Sequence, residues 1–305
     1  MASGKKGLIN FVSLYTMMIP GLLYLLINNY LPMAGLVIAF KRINFRLGIF
    51  KSPWVGFDNF RYLFATPDAF IITRNTILYN LSFIIIGTVV SILTALMLNE
   101  IQGRFAKSVY QNFILLPHLI SMVVVGYLVY AFLSMDSGII NKTVLKFFGK
   151  ESILWYQAKK YWPFILVFVN TWKGFGFSAV IYLSSIVGIS KDYYEAAYLD
   201  GAGKFRQIWH ITLPLIKPTI IILTLLAIGR MFYSDFGLFY QVPLNQGMLF
   251  DVTNTIDTYV YRALLVTGDM GMSSAVGFYQ SVVGFICIVA ANSVVRKIEA
   301  GSSLF

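Results

Sequence analysis

Six stretches of the chain are apolar over about 20 residues or more, the length a helix needs to cross the hydrocarbon core of a bilayer. They cover residues 12–40, 76–98, 109–134, 162–187, 216–240 and 272–295. The first is long and contains Pro20 and Pro32, so a kink or tilt is expected there. The fifth opens on Pro214 and Pro218, where a missing N–H and a fixed φ suit a helix start. Between the fourth and fifth runs lies a polar segment, EAAYLDGAGKFRQIWHITLP, from Glu195 to Pro214. No low-complexity segment, soluble domain or convincing internal repeat interrupts the pattern. It predicts an all-α integral membrane protein with six transmembrane helices, a single transmembrane domain over residues 1–305.

Composition reinforces this pattern. Of 305 residues, 58% are hydrophobic and 12% charged, against about 25% charged in soluble domains, and the mean hydropathy is +0.72. A net charge of +11 would suggest nucleic acid in a soluble protein. In this chain the basic residues lie in loops and at helix ends, near anionic headgroups, and no nucleic-acid partner is expected. Lys5 and Lys6 ahead of an apolar run mimic a signal peptide, but the run is too long and lacks a small-residue cleavage site. It reads as a retained first span. The single cysteine, Cys287, reads as a small hydrophobe packed in a helix.

Six spans place both termini on one side of the membrane. With Lys5 and Lys6 inside, the inner segments hold Lys/Arg at 5, 6, 104, 107, 191, 204, 206, 217, 296 and 297. The outer loops hold slightly more, among them Lys41, Arg42, Arg46, Lys51 and the run from Lys142 to Lys160. The basic residues alone therefore orient the chain only weakly, through their higher density in the shorter inner segments.

In the polar segment, Asp192 and Glu195 are spaced as a capping box. A short helix is expected from there to Asp200, stopped by Gly201 in the left-handed region. A second short helix follows from Lys204 to His210, and Leu213-Pro214 turns the chain back into the membrane. Ala196 and Ala197 leave one side of the first helix bare for close approach by another protein. Helix and charge alone describe an ordinary amphipathic connector. The combined spacing, Glu195-Ala196-Ala197, Gly201, then Ile211-x-Leu213-Pro214, is more specific.

That spacing, EAA-x3-G-x9-I-x-LP, resembles the cytoplasmic signature of importer-type permeases of the ATP-binding-cassette (ABC) family. The segments YLPMAGLVIAF, SPWVGFDNF, RNTILYN, LLPHLISMVVVGYLVY and DTYVYRALLVTGDMGMSSAVGFYQSVVGFICIVAANSVVRK look like its carbohydrate-uptake branch. They are most similar to oligosaccharide and complex-glycan permeases of Gram-positive bacteria. The resemblance covers nearly the whole chain. It implies a type I ABC importer permease in the bacterial plasma membrane, with residues 189–214 as a cytoplasmic coupling loop and both termini cytoplasmic. It implies a second permease subunit, in a heterodimer, two ATP-binding-cassette ATPase subunits and an extracellular solute-binding lipoprotein. Glu195, Ala196, Ala197, Asp200, Gly201, Ile211, Leu213 and Pro214 would engage the ATPase. Glu195 would face its groove, Gly201 would let the chain bend, and Leu213-Pro214 would lock the loop to the fifth span.

The chain holds no nucleotide site of its own. Gly203-Lys204 is followed by Phe205 and Gly149-Lys150 by Glu151, so neither forms a P-loop. ATP and Mg are expected on the partner ATPase, with no cofactor in this chain. His118 and His210 lack a Cys/His/Asp cluster at metal spacing and read as packing or interface residues. No GxSxG elbow is present. A transport subunit, not an enzyme, is expected.

Charged residues inside spans mark a pathway or a pair. Lys173 and Arg230 are two such residues, in the spans that flank the polar segment and that line the central cavity in the family. Asn170, Trp172, Phe177, Tyr233, Ser234 and Asp235 accompany them, and aromatic faces with polar neighbours suit sugar rings. The bland alternative pairs Arg230 with Asp235 or a partner-subunit residue and leaves the aromatics to helix packing. The sharper expectation is that Lys173 and Arg230 favour acidic sugars. Gly56–Phe60 and QVPLNQGMLFDVTNT are expected in outer loops, for binding-protein contact or gating. A permease for a non-sugar solute would fit the loop signature equally well. An ion-driven carrier would show inverted repeats or broken helices in matched halves, which the sequence does not display.

Overall fold

The computed structural model describes residues 3–298; the side chains of residues 3–13, Lys5 and Lys6 included, lie outside the described residues. The chain is helical nearly throughout. Among the described residues the one β pairing is an isolated antiparallel bridge between Lys41 and Trp54. Five helices are long and apolar enough to cross a membrane, and a sixth span follows if one bent pair is counted as a single crossing.

The first span begins as α1 (Ser3–Leu25). It continues through a π segment, Leu26–Tyr30, and ends in a 3₁₀ stretch, Ala34–Phe40. The wide turn lies just ahead of Pro32, which sits in the first turn of the following short helix. A proline removes one ladder hydrogen bond and crowds the carbonyl four residues back, and a wider turn relieves that crowding. The second span, α2 (Asp68–Glu100), outruns its predicted limits of 76–98. Its 33 residues reach about 50 Å at 1.5 Å per residue, so its polar first turns project beyond the apolar layer.

The third run, predicted as one helix over 109–134, is two. α3 (Arg104–Leu119) and α4 (Met122–Leu133) meet at 94°. Pro117 lies in the last turn of α3, and Ser121 restarts the chain as an N-cap, its hydroxyl accepting from Val124 N–H at 3.4 Å. The fourth span, α5 (Trp162–Val187), has the predicted limits.

The fifth departs most from expectation. α6 (Lys191–Leu199) is followed by a continuous helix, α7 (Lys204–Gly229), which starts well before the predicted residue 216 and ends well before 240. The chain then turns through 230–235 and forms α8 (Phe236–Gln241). Windowed hydropathy carries the third run across its break; in the fifth run the break falls at the polar residues Arg230, Ser234 and Asp235. α9 (Ile256–Leu265) and the last span, α10 (Met270–Ile298), complete the fold.

The broken halves pack together. A Cβ added to Gly126 of α4 would lie 2.8 Å from the Gln241 carbonyl oxygen of α8, and one added to Gly237 would lie 2.9 Å from Met122 Cβ. Small residues admit this approach, as is common between membrane helices. The cluster of Tyr79, Val125, Trp162, Leu166, Val169, Leu238, Phe239, Val242 and Leu249 forms around the same contact. Toward the end that carries α6, a second cluster joins Ala95, Leu98, Tyr182, Leu183, Ile186 and Ile216. Toward the opposite end, Leu63, Ala69, Ile72, Phe232, Ile256 and Val276 form a third. Side-chain hydrogen bonds link the spans where lipid offers no competitor: Ser91 Oγ to the Phe175 carbonyl at 3.1 Å, Ser185 Oγ to Thr219 Oγ1 at 3.0 Å, and Thr73 Oγ1 to Tyr279 Oη at 3.2 Å.

Candidate functional site: a polar cavity and an exposed helical loop

Two regions carry functional character. The first is the loop between α5 and α7. Ser190, and not Asp192, is the N-cap of α6: its Oγ accepts from the Asp192 N–H at 3.3 Å and donates to Asp192 Oδ2 at 3.0 Å. The capping box expected between Asp192 and Glu195 is therefore replaced by a cap two residues earlier. The C-terminus closes as a Schellman motif, with Gly201 N–H bonded to the Tyr198 carbonyl at 3.0 Å and Ala202 N–H to the Ala197 carbonyl at 2.8 Å. Gly201 has φ +77°, the left-handed conformation that L side chains resist.

The reversal of direction is made at Gly201–Gly203. Leu213-Pro214 makes no turn, because Lys204–Gly229 is continuous through them. Pro214 is accommodated by a π segment, Ile208–Thr212, in which Leu213 N–H reaches back to the Ile208 carbonyl. Three contacts fix the loop to the body. Tyr194 Oη lies 3.0 Å from Thr212 Oγ1, Gln207 Nε2 donates to the Ala202 carbonyl at 3.1 Å, and Lys204 Nζ pairs with Glu100 at 2.9 Å. Leu213 packs on the cluster around Ile216, and Ile211 is half-buried. Glu195, Ala196, Asp200, Gly201 and Pro214 are exposed, Ala197 half-buried. Around them Tyr198, Leu199, Phe205 and Trp209 also face outward, with Phe205 and Trp209 rings 6.3 Å apart.

The second region is a cavity of about 760 Å³ walled by α2, α5, α7 and the 230–235 turn. Asn170, Phe177, Arg230, Tyr233, Ser234 and Asp235 line it; Trp172 and Lys173 do not. Trp172 packs toward the central core and borders a separate apolar groove between α2 and α5. Lys173 Nζ is bound to backbone at the α3–α4 break. It donates to the carbonyls of Pro117 at 3.3 Å, His118 at 2.9 Å and Ile120. A cation at the C-terminal end of α3 satisfies carbonyls that the break strands and opposes the negative end of the helix dipole. The expectation that Lys173 faces a sugar gives way to a structural post.

Arg230 differs. It is exposed on the cavity wall, and among the described residues no ion pair or hydrogen bond holds its guanidinium. Asp235, the alternative partner, spends Oδ1 as N-cap of α8, accepting from Leu238 N–H at 3.1 Å. His118 stacks on Phe177 with ring centroids 5.2 Å apart, and His210 Nδ1 lies 3.1 Å from the Arg206 carbonyl. No group of three or more His, Cys, Asp or Glu suited to a metal occurs among the described residues.

Sequence reading missed the wall from α2: Asn80, Phe83, Ile84, Gly87, Thr88 and Ser91. Their signal was present, since positions 80, 84, 87, 88 and 91 follow the i, i+4, i+7, i+8 stripe of one helix face and four of the five are polar or glycine. It was masked by the high hydropathy of the span around it.

Opposite the loop end, the connector before α9 is tied to α2. Asn75 Nδ2 donates to the carbonyls of Asp251 at 3.0 Å and Asn254 at 2.9 Å, Tyr79 Oη to Val252 at 2.7 Å, and Lys159 pairs with the Asp251 carboxyl. Of the segment Gly56–Phe60, Asn59 donates to the Ala39 carbonyl at 2.8 Å, and Phe57 and Phe60 join a ring cluster with Phe40. Arg262 lies over the Phe250 ring at 4.2 Å, and burial lowers its pKa from the usual arginine value.

Residues 87–300 match the model of the family described as binding-protein-dependent transport system inner membrane component. Protein LplB of Bacillus subtilis (strain 168) is 39% identical over 94% of this chain and 89% of its own length. The polygalacturonan/rhamnogalacturonan transport system permease protein YteP of the same organism is 38% identical over 96% of this chain and 91% of its own. Among solved structures, a bacterial ABC transporter involved in the import of the acidic polysaccharide alginate has a chain that superposes with TM-score 0.87 at 32% identity. That match covers 96% of this chain and 98% of that one. The chain therefore belongs to the binding-protein-dependent transport system inner membrane component family, as an integral membrane permease subunit of an ABC importer and not as an enzyme.

Proposed function

We propose that this permease carries an acidic oligosaccharide, of the uronic-acid class, into the cell by alternating access. The observation that carries the reading is Arg230: a guanidinium with no ion pair or hydrogen bond among the described residues, on the wall of a cavity of about 760 Å³ with Asn170, Phe177 and Tyr233. Guanidinium binds carboxylate through paired N–H donors, and ring faces accept the C–H face of a pyranose. One similar protein is described as involved in the import of the acidic polysaccharide alginate, and another as a polygalacturonan/rhamnogalacturonan transport system permease protein.

In this reading Glu195, Ala196, Ala197, Asp200 and Gly201 meet a groove of a separate ATPase, which holds ATP and Mg. Ile211, Leu213 and Pro214 transmit its motion into α7. Two ATPases, a second, similar permease and an extracellular binding protein complete the complex, and both termini are cytoplasmic. A related transporter has been crystallised with an alginate pentasaccharide-bound periplasmic protein, which supports the binding-protein partner. The complex with its cognate binding protein, in proteoliposomes, tests the substrate class. Oligogalacturonides should stimulate hydrolysis and uptake more than neutral oligosaccharides of equal length, and Arg230→Gln should raise the half-saturating concentration about tenfold, the equivalent of one charged hydrogen bond. Equal stimulation by both sugars, with Arg230→Gln silent, would discard the reading.

A further inference from the structure

The 230–235 turn, which brings Arg230, Tyr233, Ser234 and Asp235 to the cavity, is shaped by a carboxyl group that does not line it. Asp257, on the first turn of α9, accepts at Oδ2 from both Ser234 N–H and Ser234 Oγ, each at 2.6 Å. Its Oδ1 accepts from Gln280 Nε2 at 3.1 Å, and the same amide donates to the Phe232 carbonyl at 2.7 Å. Ser234 Oγ is also 2.8 Å from Thr255 Oγ1. Gln280 and the Phe232 ring are buried, the ring in the cluster with Ile72, Ile256 and Val276. The turn is thus held on both sides of Tyr233, by the carbonyl and ring of Phe232 and by both donors of Ser234. Tyr233, between them, is left to face the cavity. No Lys or Arg forms an ion pair with Asp257 among the described residues.

A helix interrupted inside a membrane protein must find other partners for the backbone groups that the break frees. Here Asp257 supplies the acceptor for Ser234 N–H and engages the adjoining hydroxyl. We propose that Asp257 is a positioning residue for transport: it holds the 230–235 turn in the one conformation that presents Arg230 and Tyr233 to the substrate. The proposal rests on the reading of Arg230 as a substrate group.

The test uses the assembled complex in proteoliposomes with its binding protein and oligogalacturonides. Asp257→Ala should raise the half-saturating concentration about tenfold, with a smaller change in the maximal rate. Asp257→Asn, which keeps an acceptor for Ser234 N–H, should recover most of the loss. If Asp257 acts through Arg230, the double variant with Arg230→Gln should be no worse than Arg230→Gln alone. A substrate-independent reading comes from a spin label at Tyr233→Cys in a Cys287→Ser background. The label should move faster in Asp257→Ala, and near normally in Asp257→Asn. If Asp257→Ala fails to assemble, Ser234→Ala should give an intermediate loosening. A label equally immobile in these variants, or additive losses in the double variant, overturns the proposal. A looser label together with a silent Arg230→Gln instead sinks the substrate reading and leaves the positioning role standing.

Discussion

Lys173 and Arg230 have the same charge and lie in the two spans on either side of the polar loop, yet their surroundings separate their roles. Three carbonyls at the end of α3 surround the Lys173 ammonium, whereas no carbonyl among the described residues accepts from the Arg230 guanidinium. Sequence identified both as costly intramembrane cations, but it could not distinguish them. The distinction depends on the α3–α4 bend, which brings Pro117, His118 and Ile120 to α5. Removing the ammonium takes this donor from the His118 and Ile120 carbonyls and leaves Pro117 with the Ile120 N–H. Lys173→Met should therefore destabilise the permease by roughly 1–3 kcal/mol, the range for unsatisfied buried partners, read as a lower unfolding midpoint of the detergent-solubilised complex. Lys173→Arg should lose less. Gly176, one turn further along α5, gives a second residue-scale constraint: an added Cβ would sit 1.9 Å from the Ile114 carbonyl oxygen, so α3 and α5 touch only because that side chain is absent.

At the scale of the element, the loop from Ser190 to Thr212 was the most legible part of the chain. Gly201 was expected in the left-handed region and has φ +77°. An L side chain there costs about 1–2 kcal/mol, and the Schellman closure that reverses the chain would have to reopen. Gly201→Val is expected to leave membrane insertion intact and to lower uptake per ATP hydrolysed; Gly201→Asn, which tolerates this conformation, should lose less. Simultaneous measurement of hydrolysis and uptake checks both, and full coupling in Gly201→Val would refute the role given to the loop. The cap and the turn were less legible. Ser190 competes with Asp192 as N-cap, and local spacing does not rank them. Pro214 read as a corner because proline ends helices, but a π segment absorbs it and lets α7 run on.

At the scale of the whole molecule, one end of the bundle is fastened by polar contacts of very different strength. The Lys159–Asp251 pair is exposed, with side-chain exposures of 47% and 58%, so Lys159→Ala should change stability by less than about 1 kcal/mol. Asn75 is 4% exposed and spans two carbonyls of the segment before α9. Asn75→Ala should cost about 1–3 kcal/mol and loosen that segment. Hydrogen exchange over residues 247–255 distinguishes the two, and equal protection in both variants would contradict this ranking. The same fastening joins α2, which walls the cavity, to the segment leading into α9, which holds Asp257. Cavity and closed end are therefore parts of one connected frame.

The sequence by itself determined that the chain crosses a membrane, the limits of α5, the left-handed glycine and the position of the polar loop between the fourth and fifth spans. Each is set by local quantities: apolar length, proline and glycine geometry, and residue spacing along one helix. Tertiary structure decided where the third and fifth runs break, which of two cations is free, and that Asn80, Thr88 and Ser91 face the same cavity as Arg230. Hydropathy averages over a window and cannot register a 94° bend at two residues. Membership of a cavity depends on which helices become neighbours, and that follows from packing across the whole bundle.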